Sequence, residues 1–578
     1  MHLKQQLIAL FDQATQQAFP GLSFPPAEVV MTNQPQHGHY QYNSAMKLSK
    51  LLKKPPREVA ESLVAHIPFN PWIVHLEIAG PGFINLWLSS HQMAYQLNTL
   101  LDQPHLGIAL AHPPQKIIVD FSSPNTAKEM HVGHLRSTII GDCLARVFAY
   151  LGHHVLRLNH IGDWGTAFGM LLAHLKETHP QVLAGKVPTD LSQLANWYKE
   201  SKKRFDENVE FKRRAQQEVV LLQSGEASSF TGWHLICDIS RRAYQQIYHL
   251  LDVEIEERGE SFYNPLLPKI VQDLEQKGLV VDSDGAKCCF VEGFMSKEGT
   301  PLPLILKKTD GGYTYDTTDM AALWHRTSQE EADRIVYVVD AGQSTHFQML
   351  FQLAKKAGLV DPNKTRLDHV PFGLVLGPDG KKFRTRSGET EKLLDLLQAA
   401  IEKALFILQE RNPTMTSDEA QKLAHTLGIG AVKYADLSCN RVHDYTFSYD
   451  RMLRFDGNTA AFLLYSYVRI QSIQRKSRWK IEELIGKESI LLQHPSEENL
   501  AFSVLRFEET LTTVAEELLP NRLTDYLYTL AESFNAFFRD CRVEGSPEEK
   551  SRLLLIEATA RTLRAGLSLL GIATVERM

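Results

Sequence analysis

Lys116 to Leu158 reads KIIVDFSSPNTAKEMHVGHLRSTIIGDCLARVFAYLGHHVLRL. Lys116-Ile117-Ile118-Val119-Asp120-Phe121 is a short apolar run of strand type, and Ser122 to Lys128 is a polar loop carrying Pro124. From about His134 the apolar positions Ile139, Ile140, Leu144, Val147 and Leu151 fall on helical spacing. Gly152 ends that helix, and His154-Val155-Leu156-Arg157-Leu158 is the next strand. Strand, crossover helix and parallel strand make the unit of a doubly wound sheet, so this stretch predicts an α/β domain.

Outward from it, the sheet pattern is interrupted from roughly 175 to 300 by a charged, helical stretch. It resumes at Arg334-Ile335-Val336-Tyr337-Val338-Val339-Asp340, passes through a helix ending near Gly358, and returns as a strand from Val370 to Leu376. Beyond about Glu391 nearly everything reads as helix, with breaks at Pro413, Gly457 and Pro520. Toward the N-terminus, Leu3, Leu7, Leu10, Phe11, Ala14 and Ala18 share one helical stripe. Trp72 to Ile78 and Phe83 to Trp87 read as strands joined at Gly80-Pro81-Gly82. The spacer Ala109 to Gln115, with two prolines, closes this first α+β unit at about residue 110.

At 578 residues the chain is too long for one core, and three or four domains are expected. The apolar fraction of 43% and charged fraction of 22% are those of a soluble globular protein. Lys4, Gln5, Gln6 and Asp12 break the first apolar stretch, so no signal peptide is expected and the protein is placed in the cytoplasm, away from membranes. Six cysteines, Cys143, Cys237, Cys288, Cys289, Cys439 and Cys541, include no CxxC pair, so buried reduced thiols are expected in place of zinc or disulfides. A net charge of −6 argues against a protein coated in positive charge, yet leaves room for a local basic face that meets RNA.

The chemistry concentrates in Asn125 to His134, where the first strand gives way to a helix and α/β sheets bind ligands. Gly133 admits close approach of a flat ligand to the backbone. His131 and His134 are donors to phosphate oxygens at a helix N-terminus, and Lys128 supplies a full charge. A metal pair and two solvated histidines are alternative readings of the same HxxH spacing. A second loop, Gly377-Pro378-Asp379-Gly380-Lys381-Lys382-Phe383-Arg384-Thr385-Arg386-Ser387-Gly388, has the glycines and cations of a segment closing over polyphosphate, or simply those of a solvated basic loop. Its spacing is not that of a Walker A loop.

Asp120 to Asp142, DFSSPNTAKEMHVGHLRSTIIGD, closely resembles the signature of class I arginyl-tRNA synthetases, with HVGH at the HIGH motif. The resemblance continues through NHIGDWGTAFG (Asn159 to Gly169), GESFYNP (Gly259 to Pro265), DGGYTYDTTDMAA (Asp310 to Ala322), YVVDAGQSTH (Tyr337 to His346) and the terminal Val575-Glu576-Arg577-Met578. It implies a Rossmann catalytic domain over 111–375 with its helical insertion, a loop and stem-contact region over 376–455, a helical anticodon-binding domain over 456–578, and a first unit that approaches the tRNA elbow. It also implies ATP as substrate with Mg²⁺ on its phosphates, arginine and its tRNA as the other substrates, and a monomer that binds neither DNA nor membranes.

By position in the resemblance, His131, Gly133, His134 and Lys128 are catalytic, joined by Arg384 and Arg386 where the family carries KMSK. This sequence departs from KMSK, and Lys128 stands where a compensating lysine is found in such members. Asp120, Asn125, Tyr315, Asp319 and Gln343 are the implied arginine pocket, Asp120 standing where a glutamate is common. Gly162 and Asp163 join His131 and His134 around ATP. Tyr315 and Asp319, four apart, face the same way on a helical turn. Tyr465-Ser466-Tyr467-Val468-Arg469 implies stacking on anticodon bases, with Tyr465 as a core residue the plainer alternative. The rivals are a synthetase for cysteine or glutamine, opposed by the DGGYTYDTTD motif, and a catalytically silent tRNA-binding paralogue, motivated by the altered second loop.

Overall fold

The computed structural model describes residues 2–32, 34–383 and 391–578. Strands β1 (Val29–Met31), β2 (Tyr40–Tyr42), β3 (Ile73–Ala79) and β4 (Phe83–Leu88) form an antiparallel sheet in the order β1-β2-β4-β3. Helix Leu3–Ala18 lays its apolar stripe on this sheet, and the Phe11 ring stacks on Tyr42 at 4.4 Å. Helix Ser90–Asp102, expected within this first unit, instead packs Leu97 and Leu101 into the main core beside the C-terminal helices. The unit also docks on the C-terminal domain: Tyr40 Oη donates to Glu509 at 2.7 Å, and Phe502 meets the Tyr40 ring edge-on at 5.5 Å.

Strands β5 (Lys116–Asp120), β6 (His154–Asn159), β7 (Glu256–Glu257), β11 (Arg334–Tyr337) and β12 (Arg366–His369) make the central sheet. Its order is β12-β11-β5-β6-β7 and every pair is parallel. β5 and β6 are joined by helix Val132–Tyr150, as the opening stretch predicts. Both faces are buried, which is why β5 and β11 read as continuous apolar runs. The expected strand over 334–340 ends at Tyr337, and of the one over 370–376 only β13 (Val375–Leu376) is strand, the sheet strand β12 lying just before it.

The interruption over 175–300 is only partly helical. Helices Thr166–Thr178, Leu191–Glu207, Val209–Gln223 and Ala227–Leu250 are followed by edge strand β7, which rejoins the central sheet. β8 (Val281–Ser283), β9 (Ala286–Met295) and β10 (Pro301–Lys307) then form a separate antiparallel sheet. Past β13 the chain is helical from Leu393 to Leu569 apart from β14 (Tyr445–Thr446), which pairs with β13. Five cysteines are buried and Cys439 is half-buried, all as free thiols. Among the described residues no helix is long and apolar enough to cross a membrane.

Candidate active site

Strand order runs outward in opposite directions from β5 and β11, and the crevice beyond their C-terminal ends is where a doubly wound sheet takes its ligand. There lies a cavity of about 530 Å³. Asp120, at the end of β5, and Tyr337, paired with it at the end of β11, form its floor.

The loop after β5 is tied to the loop after β6: Thr126 N–H donates to Gly162 O at 3.0 Å, and Gly162 N–H to Pro124 O at 3.1 Å. Gly162 lines the cavity, and a Cβ there would collide with Asn125 Oδ1, so only glycine allows this approach. His131 is the N-cap of helix Val132–Tyr150. Its Nδ1 accepts from Gly133 N–H at 3.0 Å, and His134 Nδ1 accepts from His131 N–H at 3.1 Å. A ring nitrogen that accepts carries no proton, so in each neutral ring the proton sits on Nε2. Burial, with Lys382 adding to it, holds His131 below its ordinary value; burial, then His131 and Lys128, push His134 down to about 3. The pair is therefore two neutral N–H donors at a helix N-terminus, both lining the cavity. Structural capping explains the HxxH spacing without a metal.

The helix bearing them is fixed from behind. Arg136, its side chain wholly buried, pairs with Asp436 at 3.1 Å and donates to Gly373 O at 2.8 Å and His443 O at 3.1 Å. Phe372 and Tyr445 flank its guanidinium. This ties the imidazole-bearing helix to the segment leading into the second loop. Removing one partner from such a buried pair costs about 3–5 kcal/mol.

Tyr315, Asp319, Gln343 and Asn125 line the same cavity. Tyr315 and Asp319 open helix Tyr315–Ser328 and line the cavity together, as their spacing predicts. Glu260 and His160, from the GESFYNP and NHIGDWG segments, face the same space. Burial, with Asp319 and Asp163 nearby, lifts the Glu260 carboxyl to about 8. His160 Nε2 lies 3.7 Å from Asp319 Oδ1.

Three expected residues sit differently. Asp120 lines the floor, yet its carboxylate is already held by buried Arg326, Nη1 to Oδ2 at 2.7 Å. Asp163, expected around ATP, is turned away from the cavity: it accepts from Ser261 N–H at 2.8 Å and Ser261 Oγ–H at 2.6 Å, buttressing the neighbouring loop. Lys128 is exposed, its ammonium over the Tyr198 ring at 5.2 Å and outside the cavity lining. Arg384 and Arg386 lie outside the described residues; of the second loop, Lys382 lines the cavity near His131. Sequence reading left Glu260 and His160 without roles although both stand in the quoted segments, and a position just past a strand's C-terminal end was the available signal; Lys382 was read only as one cation of the second loop. Arg326 carries no such signal, being one cation in a helical run.

In the C-terminal helices Tyr465 is 44% exposed, which rules out the core reading, and Tyr467 is the buried partner. Arg469 lies over both Tyr465 and Phe538, at 4.8 and 4.9 Å, and donates to Asn535.

The chain matches the family models described as tRNA synthetases class I (R), catalytic domain, over residues 96–449, DALR anticodon binding domain over 463–578, and Arginyl tRNA synthetase N terminal domain over 5–88. It is 61% identical to the arginine–tRNA ligase of Protochlamydia amoebophila over 578 residues, covering 99% of each chain. It is 50% identical to that of a Cyanothece species over 585 residues, covering 100% of this chain and 99% of the relative. The crystal structure of arginyl-tRNA synthetase from Plasmodium falciparum superposes with a TM-score of 0.88 at 34% identity, covering 99% of each chain.

Proposed function

The chain belongs to the class I arginyl-tRNA synthetase family, and from that membership we propose how its cavity carries out the reaction. The activity is arginine–tRNA ligation: arginine is activated with ATP and esterified to the terminal adenosine of its tRNA. Nothing supports the alternative of a silent paralogue.

The observation that carries the assignment of residues is one cavity lined both by two neutral imidazole donors and by the acidic residues Asp319 and Glu260. In the first step the arginine carboxylate forms a bond to the α-phosphorus, and the bond to pyrophosphate breaks. The Nε2–H groups of His131 and His134 are placed to donate to phosphoryl oxygens whose charge grows in the transition state, which is where such donors accelerate. Gly133 leaves the nucleotide close access to the helix terminus, and Lys382 adds charge near His131. The arginine guanidinium is read by Asp319 with Glu260 beside it, under the Tyr315 ring; Asn125 and Gln343 take the backbone end. A neutral side chain would leave those carboxylates unmatched, which is strong discrimination. In the second step the 2′-hydroxyl of the tRNA adenosine attacks the acyl carbon and AMP leaves.

Among the described residues no three His, Cys, Asp or Glu side chains gather to hold a metal, so in this reading Mg²⁺ enters with ATP and is bound by phosphate oxygens. Lys128, Arg384 and Arg386 share the closing role, Lys128 leaving its perch on Tyr198 when nucleotide arrives. The Tyr465–Arg469–Phe538 surface stacks on anticodon bases, and the N-terminal unit approaches the tRNA elbow. The enzyme acts as a cytoplasmic monomer without DNA or membrane partners. The test is arginine-dependent ATP–pyrophosphate exchange with and without the matching tRNA. Arginine-dependent exchange supports the reading, and no exchange under either condition from folded protein that still binds tRNA overturns it.

A further inference from the structure

An imidazole that the roles above leave unused bridges two acidic residues at the arginine side of the cavity. His346 lies in the first turn of helix Ser344–Lys356. Its Nε2 is 2.7 Å from Asp319 Oδ2, and its Nδ1 is 3.3 Å from Asp316 Oδ1. A neutral imidazole has a single N–H, so it would turn a lone pair toward one of these carboxylates. Only the imidazolium has a donor for each. Burial opposes that charge, but pairing with Asp316 and Asp319 outweighs it and lifts the group to about 9.

The clamp has one fixed end. Asp316, 5% exposed, accepts through Oδ2 from Ile305 N–H at 2.7 Å, anchoring it to β10. The other end is free to act: Asp319 keeps Oδ1 toward His160 and the cavity. Without a cation between them, carboxylates three residues apart on one helix repel. Also facing the His346 ring are Tyr315, edge-on at 5.2 Å, and Phe347 at 5.3 Å, with His369 beyond on β12.

We propose that His346 is a positioning and specificity residue for arginine, its imidazolium holding Asp319 in the rotamer that offers Oδ1 to the guanidinium. It also cancels one of two adjacent negative charges, so the helix start matches a single cation. This rests on Asp319 reading the guanidinium.

The experiment is steady-state tRNA arginylation by the full chain carrying H346L, H346Q or D319N, with arginine and ATP varied separately. H346L is expected to raise KM for arginine roughly tenfold or more, with the loss falling on KM and sparing both kcat and KM for ATP. H346Q keeps a donor without the charge and should lie between, and it carries the test if H346L does not fold. D319N with unchanged arginine KM overturns the reading of Asp319. D319N with raised arginine KM, while both His346 variants stay at the wild-type value or lose arginine and ATP affinity equally, overturns the role of His346 alone.

Discussion

Arg326 Nη1 lies 2.7 Å from Asp120 Oδ2, both residues buried, so the carboxylate at the end of β5 already has a guanidinium partner supplied by the chain itself. The Arg326 guanidinium also packs over the Tyr337 ring at 5.3 Å. Asp120 therefore forms part of the cavity floor with a partner of its own, and in the proposed reading the substrate cation is met by Asp319, through the oxygen not held by His346, with Glu260 beside it.

Arg326→Met leaves Asp120 charged and unpaired in the interior, at an expected cost of about 3–5 kcal/mol. Adding Asp120→Asn removes that charge and should recover a large part of the loss. Urea denaturation of the two variants checks this; equal stability of both would mean that the pair contributes little.

Glu260 supplies a pH dependence. With its carboxyl lifted from 4.5 to about 8, the free site holds a proton at neutral pH. A raised carboxyl contributes stability that is complete below 4.5 and is lost as pH rises through about 8. An arriving guanidinium favours the ionised form, so arginine binding below pH 8 should release a proton and tighten as pH rises toward 8. Calorimetry of arginine binding in buffers of different ionisation enthalpy measures the release, and Glu260→Gln should abolish it.

Neutral imidazoles make the opposite prediction for the phosphate side. With His134 held near 3, kcat should show no inflection from it between about pH 5 and 8. His134→Ala removes one donor aimed at developing charge, and kcat should fall by about 10²–10³. A pH–rate profile of wild type and variant checks both statements.

At Gly162 a methyl group has no room beside Asn125 Oδ1. Gly162→Ala should push Asn125 out of the cavity rim and raise KM for arginine, with little change in the thermal midpoint because the collision is confined to two surface loops. Arginine-dependent kinetics beside a melting curve separate the two effects.

Much of this was legible before the fold. The strand read over Lys116 to Phe121 and the helix read from about His134 follow from apolar spacing because local periodicity sets them, while Tyr315 and Asp319 were reached through the family resemblance and their four-residue spacing. The pairing of Asp120 with Arg326 joins positions 206 apart in the chain, and no local pattern reports such a contact. The same is true of His346 against Asp316 and Asp319. Asp163 misled because it shares a loop with Gly162, while its carboxylate points to the opposite side, toward Ser261. The antiparallel sheet β8-β9-β10 was missed because the whole stretch was read as one charged helical insertion, although β9 and β10 are themselves rich in apolar residues.

A crystal structure of the enzyme with arginine bound tests the central claim most directly. A guanidinium nitrogen is expected about 2.7–3.2 Å from Asp319 Oδ1, with Glu260 facing it and the Asp120–Arg326 pair intact. A guanidinium seated on Asp120, with Arg326 displaced, would contradict it.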